Sequence, residues 1–266
     1  MTTPTPRIPR IPRIMVALNG ARRSQDQHPN LPITTQEIVS ETVACAQAGA
    51  DALHLHVRAA DGRHSLDAGR YREALAALQR ALPGFPVQIT TEAAGIFSVA
   101  QQIDTVAGVR PSAVSISIRE MARDPARAAH MYALCQDIGA QVQHILYTPE
   151  DTAQLLRWRD AGVVKADQSS VLFVLGAYQP PRTALPADVA PLLRAAPPAL
   201  TERMVCAFGP SEHAVLIQAA QHGADLRVGF ENNLHSPLGP LARSNAENVA
   251  ALRAALPAAL AEKESL

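Results

Sequence analysis

A chain of 266 residues that is 47% hydrophobic and 18% charged can bury a large core and is not the low-hydropathy, high-charge composition of a disordered chain. Its formal net charge is zero, with positive charge carried almost wholly by arginine, which excludes the basic surplus expected of a nucleic-acid binder. Cys45, Cys135 and Cys206 are scattered without metal or disulfide spacing, as in a reducing cytoplasmic protein, and the apolar run at 171–177 is far too short to span a membrane.

Residues 1–13 read as an extended tail. Pro-Arg-Ile recurs at 6–8, 9–11 and 12–14, and proline at every third position forbids the amphipathic helix of a targeting peptide. From 14 to 266 the chain reads as one domain. Ile14–Leu18 predicts a first strand, ending at Asn19-Gly20. Thr34-Thr35-Gln36-Glu37 is a capping box that opens a helix to Gln47. A strand over 52–57 is followed by a helix from Ala68 to Leu82, broken by Pro83-Gly84, and by a third strand over 86–91. Strands then fit 112–118, 141–147, 169–175, 203–208 and 225–230; helices fit 97–107, 125–138, 149–160, 186–195, 211–222 and 244–261. Thr148-Pro149-Glu150-Asp151 is a helix start, with proline at the first helical position and acids in the first turn. The Pro-rich stretch 179–198 decorates the sixth unit as a loop. Eight strand-helix units at roughly thirty-residue spacing predict a (β/α)8 TIM barrel, with an open doubly wound sheet as the alternative.

The second strand carries the first chemical signal. In Ala-Asp-Ala-Leu-His-Leu-His-Val-Arg at 50–58, period-two geometry places His54, His56 and Arg58 on one face. Two imidazoles on one short strand suit a divalent metal, or they hydrogen-bond inside a core. Barrel chemistry gathers at the C-terminal strand ends. There the sequence supplies Thr90, Thr91 and Glu92 from strand 3, Ser115 and Ser117 from strand 4, and Arg227, Gly229 and Glu231 from strand 8. Glu231 is the natural third ligand of a site with two histidines and one carboxylate for zinc or a similar ion; the competing reading pairs it with Arg227 structurally. Glu92 reads as a fourth ligand, a base or a loop acid. His144 reads as a structural histidine, and His28, His64, His130, His213, His222 and His235 as loop or helix-surface residues. Gly-Pro-Ser-Glu at 209–212 is either a phosphate-binding turn or an ordinary helix start. No dinucleotide fingerprint, P-loop or serine-hydrolase elbow is present.

Val-Ala-Leu-Asn-Gly-Ala at 16–21, His28-Pro29-Asn30-Leu31-Pro32, Ala-Gly-Ala with His-Leu-His-Val-Arg, Phe-Val-Leu-Gly at 173–176, Arg-Val-Gly-Phe-Glu at 227–231 and Ser244-Asn245-Ala246 also carry a resemblance. From about residue 14 to the C-terminus the chain resembles the β-keto acid cleavage enzymes of the 3-keto-5-aminohexanoate type. The resemblance implies a zinc-bearing barrel, usually a homotetramer, that converts a β-keto acid and acetyl-CoA into acetoacetate and a new acyl-CoA. It matches His54, His56 and Glu231 to the zinc ligands, Arg227 to the arginine that orients the base, and Thr90 and Ser115 to hydroxyls that hold substrate.

The sequence also departs from that pattern. Asn232 stands where the family has an aspartate base, and loss of general-base catalysis costs about 10²–10⁴-fold. Arg22 replaces the acid that meets an amino group, which argues against a cationic substrate. Glu92-Ala93-Ala94 replaces a Gly-rich turn, leaving Glu92 as a substitute base, and Arg119-Glu120-Met121 is shorter than its counterpart. The expected activity is β-keto acid cleavage with acetyl-CoA. The alternatives are a metal-dependent lyase or hydrolase that does not use CoA, and a silent metabolite-binding relative.

Overall fold

A computed structural model describes residues 11–178 and 180–264. Eight parallel strands close into a barrel: β1 (Ile14–Ala17), β2 (Ala52–Leu55), β3 (Val87–Thr90), β4 (Ala113–Ser117), β5 (Gln141–Leu146), β6 (Ser170–Leu175), β7 (Glu202–Ala207) and β8 (Asp225–Val228). Each strand is hydrogen-bonded to its neighbours in sequence, and β8 returns to β1. Helices follow each strand in turn: α1 (Thr35–Gln47), α2 (Ala68–Ala81), α3 (Val99–Val109), α4 (Pro125–Asp137), α5 (Pro149–Asp160), α6 (Val189–Ala195), α7 (Glu212–Gln221) and α8 (Asn245–Glu264). This is the predicted (β/α)8 barrel. Of the predicted tail, residues 1–10 lie outside the described residues. At its inner end Arg13 is already anchored, its backbone N donating to Asp225 Oδ1 at 2.8 Å and its Nε to Oδ2 at 2.9 Å.

Local chemistry starts the helices where the sequence predicts. Thr34 Oγ1 accepts from Glu37 N at 3.2 Å while the Glu37 carboxylate accepts from Thr34 N at 2.8 Å, closing the capping box of α1. Ser98 with Gln101 and Thr148 with Asp151 do the same for α3 and α5.

Two apolar clusters follow from the closed sheet. The larger fills the space between strands and helices, with Ile14, Val16, Leu53, Leu55, Ile89, Val114 and Ile116 pointing outward from the barrel. Each such side chain contributes about 1.5–3 kcal/mol of burial. The smaller cluster, Met15, Ile145, Leu172, Val174, Met204, Cys206 and Phe208, lies inside the barrel. Because both strand faces are covered, the strands are near-continuous apolar runs, interrupted where polar side chains point inward.

Two readings are corrected. His28, His64 and His213 are buried, 3%, 6% and 7% exposed; the His28 ring packs on Phe230 and the His64 ring on His56 and Phe97. The helix predicted over 186–195 is present as α6, and the stretch before it is more than loop: Pro181–Arg182 pairs with Ala177–Tyr178 and a 3-10 turn spans Pro186–Asp188. No described helix is long and apolar enough to cross a membrane.

Candidate metal centre

β1 lies between β2 and β8, so the ends of β2 and β8 face each other across its C-terminal loop. His54 sits near the C-terminal end of β2. His56 follows just beyond it, before the chain folds into a short hairpin, Val57–Arg58 against His64–Ser65. Glu231 comes from the turn after β8. The three converge: His54 Nε2 and His56 Nε2 are 3.1 Å apart, and Glu231 Oε2 lies 3.8 and 3.6 Å from them. The other carboxylate oxygen, Oε1, accepts from Arg227 Nη2 at 2.6 Å.

Arg58 does not join this cluster. The hairpin turns it aside, and its buried guanidinium donates to the carbonyls of Asn19 (3.0 Å), Gly20 (2.7 Å), Arg23 (2.9 Å) and Gly62 (2.7 Å). These charge-assisted bonds offset the cost of burying the cation and clamp the loop after β1. That loop must come close. A Cβ on Gly20, at φ +59°, would sit 2.6 Å from Glu231 Cγ. Gly229, at φ +143°, lets the turn after β8 pass the Ala17 carbonyl, where a Cβ would collide.

Burial first, and then Arg227, hold the His54 imidazole well below its ordinary pKa; burial and the charges of His54, His64, Arg227 and Arg58 do the same for His56. Both rings are therefore neutral and offer lone pairs. Burial raises the pKa of Glu231, and the Arg227 guanidinium opposes that rise. Contacts of 3.6 and 3.8 Å are too long for hydrogen bonds. Ligand atoms about 2.1 Å from one tetrahedral ion stand about 3.4 Å apart. All three donor atoms lie within 4.8 Å of one another, and every residue is buried. Two neutral imidazoles and a carboxylate in this arrangement fit a zinc-like divalent ion.

Around this cluster the remaining candidates take separate positions. Thr90 Oγ1 is engaged, accepting from Glu92 N at 3.0 Å. Ser115 Oγ and Ser117 Oγ, buried on β4, have no hydrogen-bond partner among the described residues, and neither do Arg227 Nε and Nη1. Arg22 Nε lies 3.7 Å from Glu92 Oε1 at the rim. Burial, with the Glu231 and Glu120 carboxylates, raises Glu92 to about 8 despite Arg22. Asn232 is fully buried beside Glu212, whose own carboxyl burial pushes well up.

Residues 13–262 match the family described as beta-keto acid cleavage enzyme. The chain belongs to that family. A 3-keto-5-aminohexanoate cleavage enzyme of Acetoanaerobium sticklandii is 26% identical over 89% of this chain and 88% of its own length. A 3-oxoadipate:acetyl-CoA acetyltransferase of Cupriavidus necator is 26% identical over 91% of this chain and 87% of its own. Among solved structures, ObcA in binary complex with oxaloacetate superposes with a TM-score of 0.65 at 18% identity, over 89% of this chain and 67% of that one. A 3-dehydroquinate dehydratase from Geobacillus kaustophilus gives 0.61 at 14% identity, over 93% and 91%. These two likenesses concern the barrel alone.

In this β-keto acid cleavage enzyme relative, sequence reasoning missed the residues that support the cluster. Gln88 on β3 accepts from His54 Nδ1 at 2.8 Å, and the β2-β3 register places the two residues side by side. Its position two before Thr90 on the same face was the available signal. Glu212 accepts from Gly229 N at 3.2 Å and Asn233 Nδ2 at 3.4 Å, bracing both ends of the turn that presents Glu231. It occupies the Gly-Pro-Ser-Glu stretch read as either a phosphate turn or an ordinary helix start, and its carboxyl points inward. A cavity of about 690 Å³ opens at the opposite, N-terminal mouth, lined by the charged Arg13, Asp167 and Glu202 and by Gln88, Gln143 and Met204. The His54, His56 and Glu231 cluster lies at the other end.

Proposed function

We propose that this family member cleaves a β-keto acid with acetyl-CoA, releasing acetoacetate and forming a new acyl-CoA, at a zinc site made by His54, His56 and Glu231. The buried convergence of those three donors beside Arg227 carries the reading, and the acetyl-CoA acetyltransferase among its relatives supports the co-substrate. When bound, the ion acts as a Lewis acid toward the keto oxygen and favours the enolate. Arg227 keeps Glu231 oriented and leaves two donor groups for substrate oxygens. Ser115 and Ser117 offer unused hydroxyls on the same interior face. Thr90 shapes the site through the Glu92 backbone, so its own hydroxyl is a weaker candidate for substrate contact.

Proton removal falls to Glu92 in this reading. An amide at 232 cannot accept a proton, whereas Glu92 stands at the mouth with its carboxyl pushed up to about 8 by burial and the Glu231 carboxylate. Arg22 beside it suits a substrate whose far end is anionic or neutral. The test is acetoacetate release from a panel of β-keto acids with acetyl-CoA, for wild type, Glu92→Gln and Asn232→Asp. The reading expects activity in wild type and a loss of about 10²–10⁴-fold in Glu92→Gln. Full activity in Glu92→Gln sinks Glu92 as base. Activity confined to Asn232→Asp means that the wild-type reaction is a different one, such as a lyase or hydrolase reaction without CoA.

A further inference from the structure

Behind His54 a line of side chains crosses the barrel interior. His54 Nδ1 lies 2.8 Å from Gln88 Oε1, Gln88 Nε2 lies 3.4 Å from Gln143 Oε1, and Gln143 Nε2 lies 3.6 Å from Met204 Sδ. The residues come from β2, β3, β5 and β7, and all four are buried. We propose that the Met204 sulfur, acting through the Gln143 and Gln88 amides, fixes the tautomer of His54 and so aims its Nε2 lone pair into the cluster. Its consequence for metal binding rests on the zinc reading above.

The argument comes from polarity at the far end of the line. A thioether has no hydrogen and only accepts. Gln143 therefore turns its NH2 toward Met204 and its carbonyl oxygen toward Gln88. That oxygen in turn takes the Gln88 NH2, which leaves the Gln88 carbonyl facing His54. A carbonyl accepts, so His54 Nδ1 carries the hydrogen and Nε2 is bare. Reversing both amides would set a carbonyl oxygen against the sulfur lone pairs. It would also put an NH2 on Nδ1, moving the ring hydrogen to Nε2, where it would block coordination. His56 lacks such a hold: its Nδ1 has no hydrogen-bond partner among the described residues. A metal-ligating histidine is commonly oriented by a partner on its other nitrogen, and losing that partner costs about 10–100-fold in affinity. Here the orientation is set two side chains further away, by a sulfur that the apolar half of the barrel supplies.

The test has two readouts on the full chain. Long-range proton-nitrogen NMR of metal-free protein labelled at histidine reports the His54 tautomer directly. Competition of Zn2+ against a chelating dye reports affinity. Wild type is expected to show His54 protonated at Nδ1, and Gln88→Leu a mixed tautomer with affinity about 10–100-fold lower. Gln88→Glu should restore both, since a carboxylate accepts with either oxygen whatever Gln143 does. Met204→Leu should weaken affinity a few-fold when Gln88 is present and have no effect in the Gln88→Glu background; a packing role would give the same loss in both. Nε2 protonation of His54 in wild type, or equal losses in the two backgrounds, overturns the proposal. If the tautomer depends on Gln88 while wild type binds no Zn2+, the positioning role stands and the zinc reading fails.

Discussion

The two halves of the barrel interior are equally buried and chemically opposite. From β2 to β4 the inward side chains are His54, His56, Gln88, Thr90, Ser115 and Ser117; from β5 to β7 they are mainly Ile145, Leu172, Val174, Met204 and Cys206. Burial on the polar side is tolerated where partners exist: Gln88 for His54, the Glu92 amide for Thr90, Glu231 for Arg227. Ser115, Ser117, His56 Nδ1 and the free edge of Arg227 are exceptions among the described residues. Burial holds both imidazole pKa values down. On the proposed reading one half carries the chemistry and the other stability, so the two should fail differently when altered.

The largest effect should come from the polar half. His56→Ala is expected to abolish stoichiometric metal and reduce turnover by about 10³-fold, since a Lewis acid contributes several kcal/mol at the transition state. The variant should unfold close to the temperature of metal-depleted wild type; metal content by elemental analysis, activity and a melting curve check this together. Leu172→Ala should do the reverse. Residue 172 is fully buried in the interior apolar cluster, so the substitution should cost about 2–5 kcal/mol of stability while metal content is retained. Denaturant titration with metal analysis of the folded fraction would show it, and a full loss of metal there would erase the division between halves.

Gly20→Ala is predicted to act between the two. The added Cβ meets the Glu231 side chain at a left-handed position, so strain of about 1–3 kcal/mol accompanies displacement of a ligand. Metal affinity should fall more than stability, and equal affinity to wild type would refute the close approach as a constraint. The smallest effect is one of pH. Burial holds His64 and His144 at about 4 in the fold, below the ordinary 6.5. The unfolded chain thus binds protons first, and their contribution is complete above pH 6.5 and lost as pH falls toward 4. Denaturant midpoints at about pH 7.5 and about pH 5 should differ, and His144→Gln should narrow the difference.

Much of this protein was determined by the sequence alone. The capping boxes at Thr34, Ser98 and Thr148 and the alternation of apolar strands with amphipathic helices depend on contacts a few residues apart, so they can be read along the chain. So could His54 and His56, because a strand's period of two needs no partner to define its face. Glu231 was reachable because barrel closure brings the eighth strand next to the first. What tertiary structure decided were the second partners of these residues. Arg58 was placed with the histidines by periodicity, and the hairpin after β2 turned it onto the loop carbonyls instead. Gln88, Gln143 and Met204 carry no motif of their own, and Glu212 was visible only as part of a helix start. Their roles come from strand register and the closed barrel, which set side chains far apart in sequence at hydrogen-bond distance.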